Sequence, residues 1–173
     1  RLESTLGGDS IVVLDSEELE AFQYNQNNAN LYGVEAVIDL HPHPLDWLHF
    51  ENSFSIVYAE NKSSIDDDSK YLPFTPAPRL QSELRAAAKR WKSLSNLFFK
   101  IQFQHYGKQE RVLLENGTES STSSYSLWHT GIGLDVLNKR KTTSAALYFT
   151  VQNVFDRAYQ NHLNRLKYAP QNP

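Results

Sequence analysis

The chain has no cysteine among its 173 residues. That excludes a disulfide framework, a thiolate metal site and a cysteine nucleophile, and leaves the compartment unfixed by redox chemistry. Methionine is absent too, initiator included, and the chain opens Arg1-Leu2-Glu3 without a secretory signal. It therefore reads as a piece of something longer or as a processed product. No apolar run approaches the ~18 residues of a spanning helix, and mean hydropathy is -0.54. Neither fact excludes a transmembrane barrel, in which only alternate residues need be apolar. A basic excess is lacking as well: 17 Lys and Arg stand against 20 Asp and Glu, for a net charge of -3. A broad nucleic-acid footprint needs a basic face, so nucleic acid is not an expected partner. There is no internal repeat, no low-complexity tract and no visible domain boundary; the length suits one domain.

What is present is alternation. Tyr32, Val34, Ala36, Ile38 and Leu40 alternate with Gly33, Glu35, Val37 and Asp39. Leu48, Phe50, Phe54, Ile56 and Tyr58 alternate with His49, Glu51, Ser53, Ser55 and Val57. Phe99, Ile101 and Phe103 stand opposite Lys100, Gln102 and Gln104. Trp128, Ile132, Leu134 and Val136 alternate with His129, Gly131, Gly133 and Asp135. Ala145, Leu147, Phe149 and Val151 alternate with Ala146, Tyr148, Thr150 and Gln152. A period of two puts each set on its own face of a strand. The segments run to about 10 residues, as a tilted bilayer-crossing strand requires; globular strands are usually ~5–6.

Residues 79–90 are less plain. Leu80, Leu84, Ala86 and Ala88 oppose Arg79, Gln81, Glu83, Arg85 and Lys89. The Ala-rich, charged run 82–92 also has fair helix propensity. Strand is expected, because Pro76 and Pro78 precede it and a strong strand follows. Toward the start, 11–14 and 19–24 are candidate short strands and 25–30 is an Asn-rich loop or strand entry. Residues 158–167 suit a short helix or an ordered loop.

The connectors sort by length. Short turns fall at 41–44, about 92–95 and 138–141; long polar loops fall at about 59–78, 107–124 and from 155 onward. Tight turns at one end and long loops at the other describe an outer-membrane barrel with a plain periplasmic rim. The expected fold is all-β: an antiparallel up-and-down meander forming a partial transmembrane barrel, a fragment of a larger one. Phe50, Phe54, Ile56, Leu84, Phe99, Ile101, Phe103, Ile132, Leu134, Leu147, Phe149 and Val151 should point out of the wall, uncovered by protein. Glu51, Ser53, Glu83, Arg85, Lys100, Gln102, Asp135 and Gln152 should face the lumen. Trp47, Trp91 and Trp128 lie at depths that suit interfacial girdles, although unbroken alternation would put Trp47 and Trp91 on the lumen side. Core packing is the rival explanation. A soluble all-β ligand- or carbohydrate-binding module accounts for the alternation equally well, but not for the sorted connectors.

One segment carries a family likeness. Leu147-Tyr148-Phe149-Thr150-Val151-Gln152-Asn153-Val154-Phe155-Asp156-Arg157-Ala158-Tyr159 resembles the penultimate-strand motif of TonB-dependent outer-membrane receptors, in which an alternating strand ends in Asn-Leu-Phe-Asp, a basic residue and then Tyr. Asn30-Leu31-Tyr32-Gly33-Val34-Glu35 is similar to that family's Gly-Val-Glu strand entry. The run 72–79 is similar to its Pro-rich lead into the next strand, and Tyr125-Ser126-Leu127-Trp128 to the start of the strand before the Asn-Phe-Asp one. The likeness covers about residues 24–173. It departs from the family at Asn172-Pro173, where the family continues into a final strand, and no plug domain precedes it. The resemblance implies a C-terminal barrel segment, residues 1–173, in the cell outer membrane. Its implied partners are outer-membrane lipid, the plug and remaining strands of the same receptor, the TonB complex through that plug, and a small nutrient ligand: a siderophore, cobalamin or oligosaccharide. An open sheet edge cannot lie in hydrocarbon, so the remaining strands are required.

No catalytic constellation stands out, no cofactor is implied, and an enzyme is not expected; a small outer-membrane barrel enzyme would need a signature that is lacking. Serines lack a Gly-x-Ser-x-Gly context. His41 and His43 read as a polar turn rather than a metal pair, and Asp66-Asp67-Asp68 as a solvated loop tip rather than a calcium site. Glu51 and Glu83 read as solvated lumen carboxylates. The sequons at Asn61 and Asn116 read as chance matches in polar loops. Asn153 and Asp156 read as caps that shape the exit loop. Ligand contacts belong on the long loops. The loop 107–124 offers Arg111, Glu115, Asn116 and Glu119; the last segment offers Arg157, Tyr159, His162 and Arg165. Such cations and aromatics suit an anionic or sugar-like ligand.

Overall fold

The computed structural model describes residues 10–14, 17–21, 28–117 and 119–164. The strands β1 (Ser10–Leu14) and β2 (Glu17–Ala21) pair antiparallel as a two-stranded sheet. Six longer strands follow: β3 (Ala29–Leu40), β4 (Leu48–Asn61), β5 (Arg79–Trp91), β6 (Leu94–Tyr106), β7 (Tyr125–Leu137) and β8 (Thr143–Val151). They form one open sheet in chain order, each antiparallel to the next. This is the expected all-β up-and-down meander. No α-helix occurs among the described residues, only 3₁₀ turns at Asp67–Ser69 and Glu115–Gly117.

The ambiguous segment is a strand throughout. Helix propensity differences amount to a few tenths of a kcal/mol per residue. Against them, β5 lies between β4 and β6, where a backbone ladder runs along both of its sides. The pairing outweighs the alanines.

The register builds continuous rows across the sheet. Leu48, Ala86, Phe99, Ile132 and Phe149 stand side by side, as do Phe50, Leu84, Ile101, Thr130 and Val151. The alternate rows carry Glu51, Glu83, Gln102 and His129, and then Arg85, Lys100, Gly131 and Thr150. Directly opposed residues share a face, so the apolar and polar sets separate as expected. The apolar face is open. Phe99 is 48% exposed, Ile132 44% and Phe149 67%. Phe103 is half-buried, because the Trp128 ring lies 4.9 Å away on the same face. No second layer packs on these rows among the described residues. Every position of the edge strands β3 and β8 is exposed.

The short connectors, 41–47, 92–93 and 138–142, lie at one end of the strands. The long ones, 62–78, 107–124 and the segment after Val151, lie at the other. The ladder is irregular in two places, one between Val136 and Leu137 where β7 meets β8 and one in β6. Asn96 takes a left-handed φ of 51° and the β6–β7 register slips between Ser95 and Phe98. Beside this bulge Trp91 pairs with Leu94, and Leu94 with Val136, in an apolar row. Trp47 precedes β4 and borders a depression lined by apolar residues of β5, β6 and β7.

Burial concentrates at the long-loop end. Among the described residues, Thr75, Gln109, Val112, Glu119, Thr122 and His162 are buried on loops there, beside Ala59, Tyr125 and Leu127 at strand ends; Gly131 and Gly133 are buried within β7.

Candidate functional site

Three long connectors meet over the loop end of the sheet, held by buried polar side chains. Gln109 is fully buried. Its amide donates to the Thr75 and Pro76 carbonyls at 2.9 and 3.1 Å, and its carbonyl accepts from the Arg111 N–H at 3.2 Å. One Glu119 oxygen accepts from the Phe74 N–H at 2.7 Å, the other from the Leu113 N–H at 3.1 Å. His162 closes the set: its Nε2 lies 3.6 Å from Glu119 Oε1, and its Nδ1 3.2 Å from Thr122 Oγ1. Buried polar groups demand partners. Here the bonds to Phe74, Thr75 and Pro76 and the contacts of His162 cross between connectors, which fixes 62–78, 107–124 and the last segment to one another.

Below this hub, the polar face carries a stack of rings. Tyr106 and Tyr125 lie 4.8 Å apart and nearly parallel, and Tyr159 lies 4.8 Å from Tyr125. The Arg79 guanidinium covers the Tyr106 end at 5.5 Å and donates to Gln81. The stack borders a cavity of about 340 Å³ lined by β6, β7, the end of β8 and the last segment. Its walls hold Lys100, Gln102, His129, Thr150, Gln152 and Asn161 beside the rings. Lys100 is paired with Glu83 at 3.0 Å, and Gln104 donates to Gln81 at 3.3 Å.

A second polar depression lies toward the short-turn rim, lined by Asp39, His41, His49, Glu51, Glu83 and Arg85. Glu51 and Glu83 are direct cross-strand neighbours here. The expected polar turn is seen in detail: His41 sits 3.5 Å from Asp39 and edge-on to His49, while His43 sits 3.3 Å from Asp46. The two histidines go to separate partners. Among the described residues no group of three His, Asp or Glu is placed to hold a metal.

The candidate loop residues do not converge. Arg111 lies with its guanidinium 3.9 Å from the Tyr58 ring. Tyr58 stacks on Tyr32 at 5.1 Å, in register with the apolar rows of Val34 and Ile56, so Arg111 is on the apolar side of the sheet. Glu115 borders a separate depression with Asp66, Asp67 and Asp68. Asn116 belongs to the same 3₁₀ turn. Arg157 is exposed, and only its backbone is held, through Asn153 at 3.0 Å in both directions. That contact, with the left-handed φ of Asn153 and Asp156, bears out Asn153 as a shaper of the exit loop. Arg165 lies outside the described residues, as do 22–27 and the end of the 158–167 segment; 158–164 form no helix.

Glu119 and His162 are 5% exposed each; buried against one another, they hold loops together, and His162 also borders a depression with Pro76, Tyr106 and Tyr125. Of the candidates, Tyr159 alone lines the polar-face cavity between β6, β7 and the last segment. Sequence reasoning passed over Tyr106, Tyr125, Gln102 and Gln152 as ligand groups, because strand residues were read as wall. The available signal was the parity of Tyr106 and Tyr125: both are aromatics on the polar face at strand ends. Comparison with protein-family models, with characterised proteins and with solved structures finds no match to this chain.

Proposed function

We propose that this chain is part of the wall of a TonB-dependent outer-membrane receptor and serves the uptake of a scarce nutrient: a siderophore, cobalamin or an oligosaccharide. The observation that carries the reading is the uncovered apolar face, with Phe99, Ile132, Leu147 and Phe149 between 44% and 67% exposed and polar rows behind them. A contiguous apolar surface of that kind calls for lipid or protein against it. The sorted connectors favour lipid. Strands β3 and β8 each pair on one side only among the described residues, and hydrocarbon does not tolerate unpaired backbone. Further strands of the same receptor would complete the wall. The ordered sequence likeness, above all Asn153-Val154-Phe155-Asp156-Arg157 and Tyr159, is what narrows a barrel to this family. In such a receptor the plug, driven by the TonB complex, admits the ligand, and this segment supplies wall and loops without catalytic work.

The test is detergent dependence. The full chain should need micelles to stay monodisperse by sedimentation, with an antiparallel-β circular dichroism spectrum, and should aggregate when detergent is removed. A folded, monodisperse monomer in plain buffer would overturn the membrane reading and favour the soluble binding module.

A further inference from the structure

We propose that the lumen-face cavity between β6, β7 and the last segment binds a neutral, polyhydroxylated ligand, an oligosaccharide, with Tyr159 as its stacking platform. The proposal rests on the receptor reading in taking this face as lumen, but its chemistry comes from the residues in the wall.

The rings come first. Arg79 covers one end of the Tyr106, Tyr125 and Tyr159 stack. Tyr159 forms the other end and lines the cavity. An aromatic face backed by two more rings is a rigid surface for the C–H face of a sugar, and phenols offer a hydroxyl at the edge. The polar groups come next. Gln102 and Gln152 line the cavity with amides that make no hydrogen bond to the described residues. An amide both donates and accepts, as a sugar hydroxyl does. Charge then decides between ligand classes. Lys100 is the one Lys or Arg among the described lining residues, and Glu83 at 3.0 Å neutralises it. A carboxylate, a phosphate or a ferric catecholate would meet no uncompensated cation there. A neutral solute loses nothing by that. The volume, about 340 Å³, lies within the ~300–1,000 Å³ of small-molecule sites.

The experiment presents the full chain in detergent micelles to an array of neutral and anionic oligosaccharides. At least one neutral glycan should be retained, and its binding should persist in high salt. Tyr159→Ala should weaken it by roughly three- to tenfold, the loss of one aromatic contact; Tyr159→Phe should retain most of it. Gln152→Ala, just past the end of β8, gives a second variant that leaves the stack in place, and it should weaken binding too. Retention of anionic glycans only, of none, or binding indifferent to both variants overturns the proposal. Failure here is separable from failure of the receptor reading: a chain that needs detergent but binds no neutral glycan loses the site alone. One that binds glycan as a water-soluble monomer keeps the site and loses the membrane.

Discussion

At the scale of single residues, the loop end depends on a few buried polar side chains, above all Glu119. Two backbone N–H groups and His162 point at its carboxylate. Hydrogen bonds to a charged group are worth about 1.5–3 kcal/mol. Glu119→Ala should therefore lower local stability by about 2–3 kcal/mol, seen as faster amide exchange at Phe74 and Leu113 with the β5–β6 ladder unchanged. Equal exchange in both proteins would remove Glu119 from that role. Gly33 is a second such point. A Cβ there would sit 2.5 Å from the Ile56 carbonyl oxygen, which is backbone and cannot step aside. Gly33→Ala should cost about 1–3 kcal/mol, the range for overpacking, and should loosen β3 from β4 in exchange measurements. Neither role was legible beforehand. A glutamate in a polar loop looks the same in sequence whether it meets ligand, water or two amides, since its partners lie 6 and 45 residues away.

At the scale of elements, the strands were legible because their information is local. Period-two patterning in 99–104 or 147–152 is enough to place each face, and the observed rows match it. Residues 79–91 were legible only through their neighbours, since alanine content argued for helix and pairing argued for strand. The bulge at Asn96 was not legible at all: nothing in Leu94-Ser95-Asn96-Leu97 announces a register slip. That is why unbroken alternation would have put Trp91 on the polar side. On the apolar face, Ile101→Lys should cost about 2–4 kcal/mol if the site lies near the bilayer midplane, and Val136→Lys, by the short-turn rim, no more than about 1 kcal/mol. Reversible urea titration in lipid vesicles measures both. Equal costs would mean that depth in a bilayer is not what these positions sense.

At the scale of the whole molecule, the sorted connectors predicted the meander, while the candidate site was legible only in part. Loop residues were chosen for their chemistry, but the chain folds Arg111 to the apolar side, His162 into a hub and Tyr159 into the cavity. Convergence is a property of the fold, and composition of a loop does not encode it. The account turns on one claim: the apolar face lies in lipid and the polar face in water. Because the chain has no cysteine, single cysteines along β6 can carry a spin label without background. In lipid bicelles, labels at Phe99, Ile101 and Phe103 should relax with lipid-soluble oxygen, and labels at Lys100, Gln102 and Gln104 with a water-soluble nickel chelate, alternating out of phase along the strand. If the apolar set is open to the chelate, or is shielded from both reagents by protein, the face is not in lipid and the account is wrong.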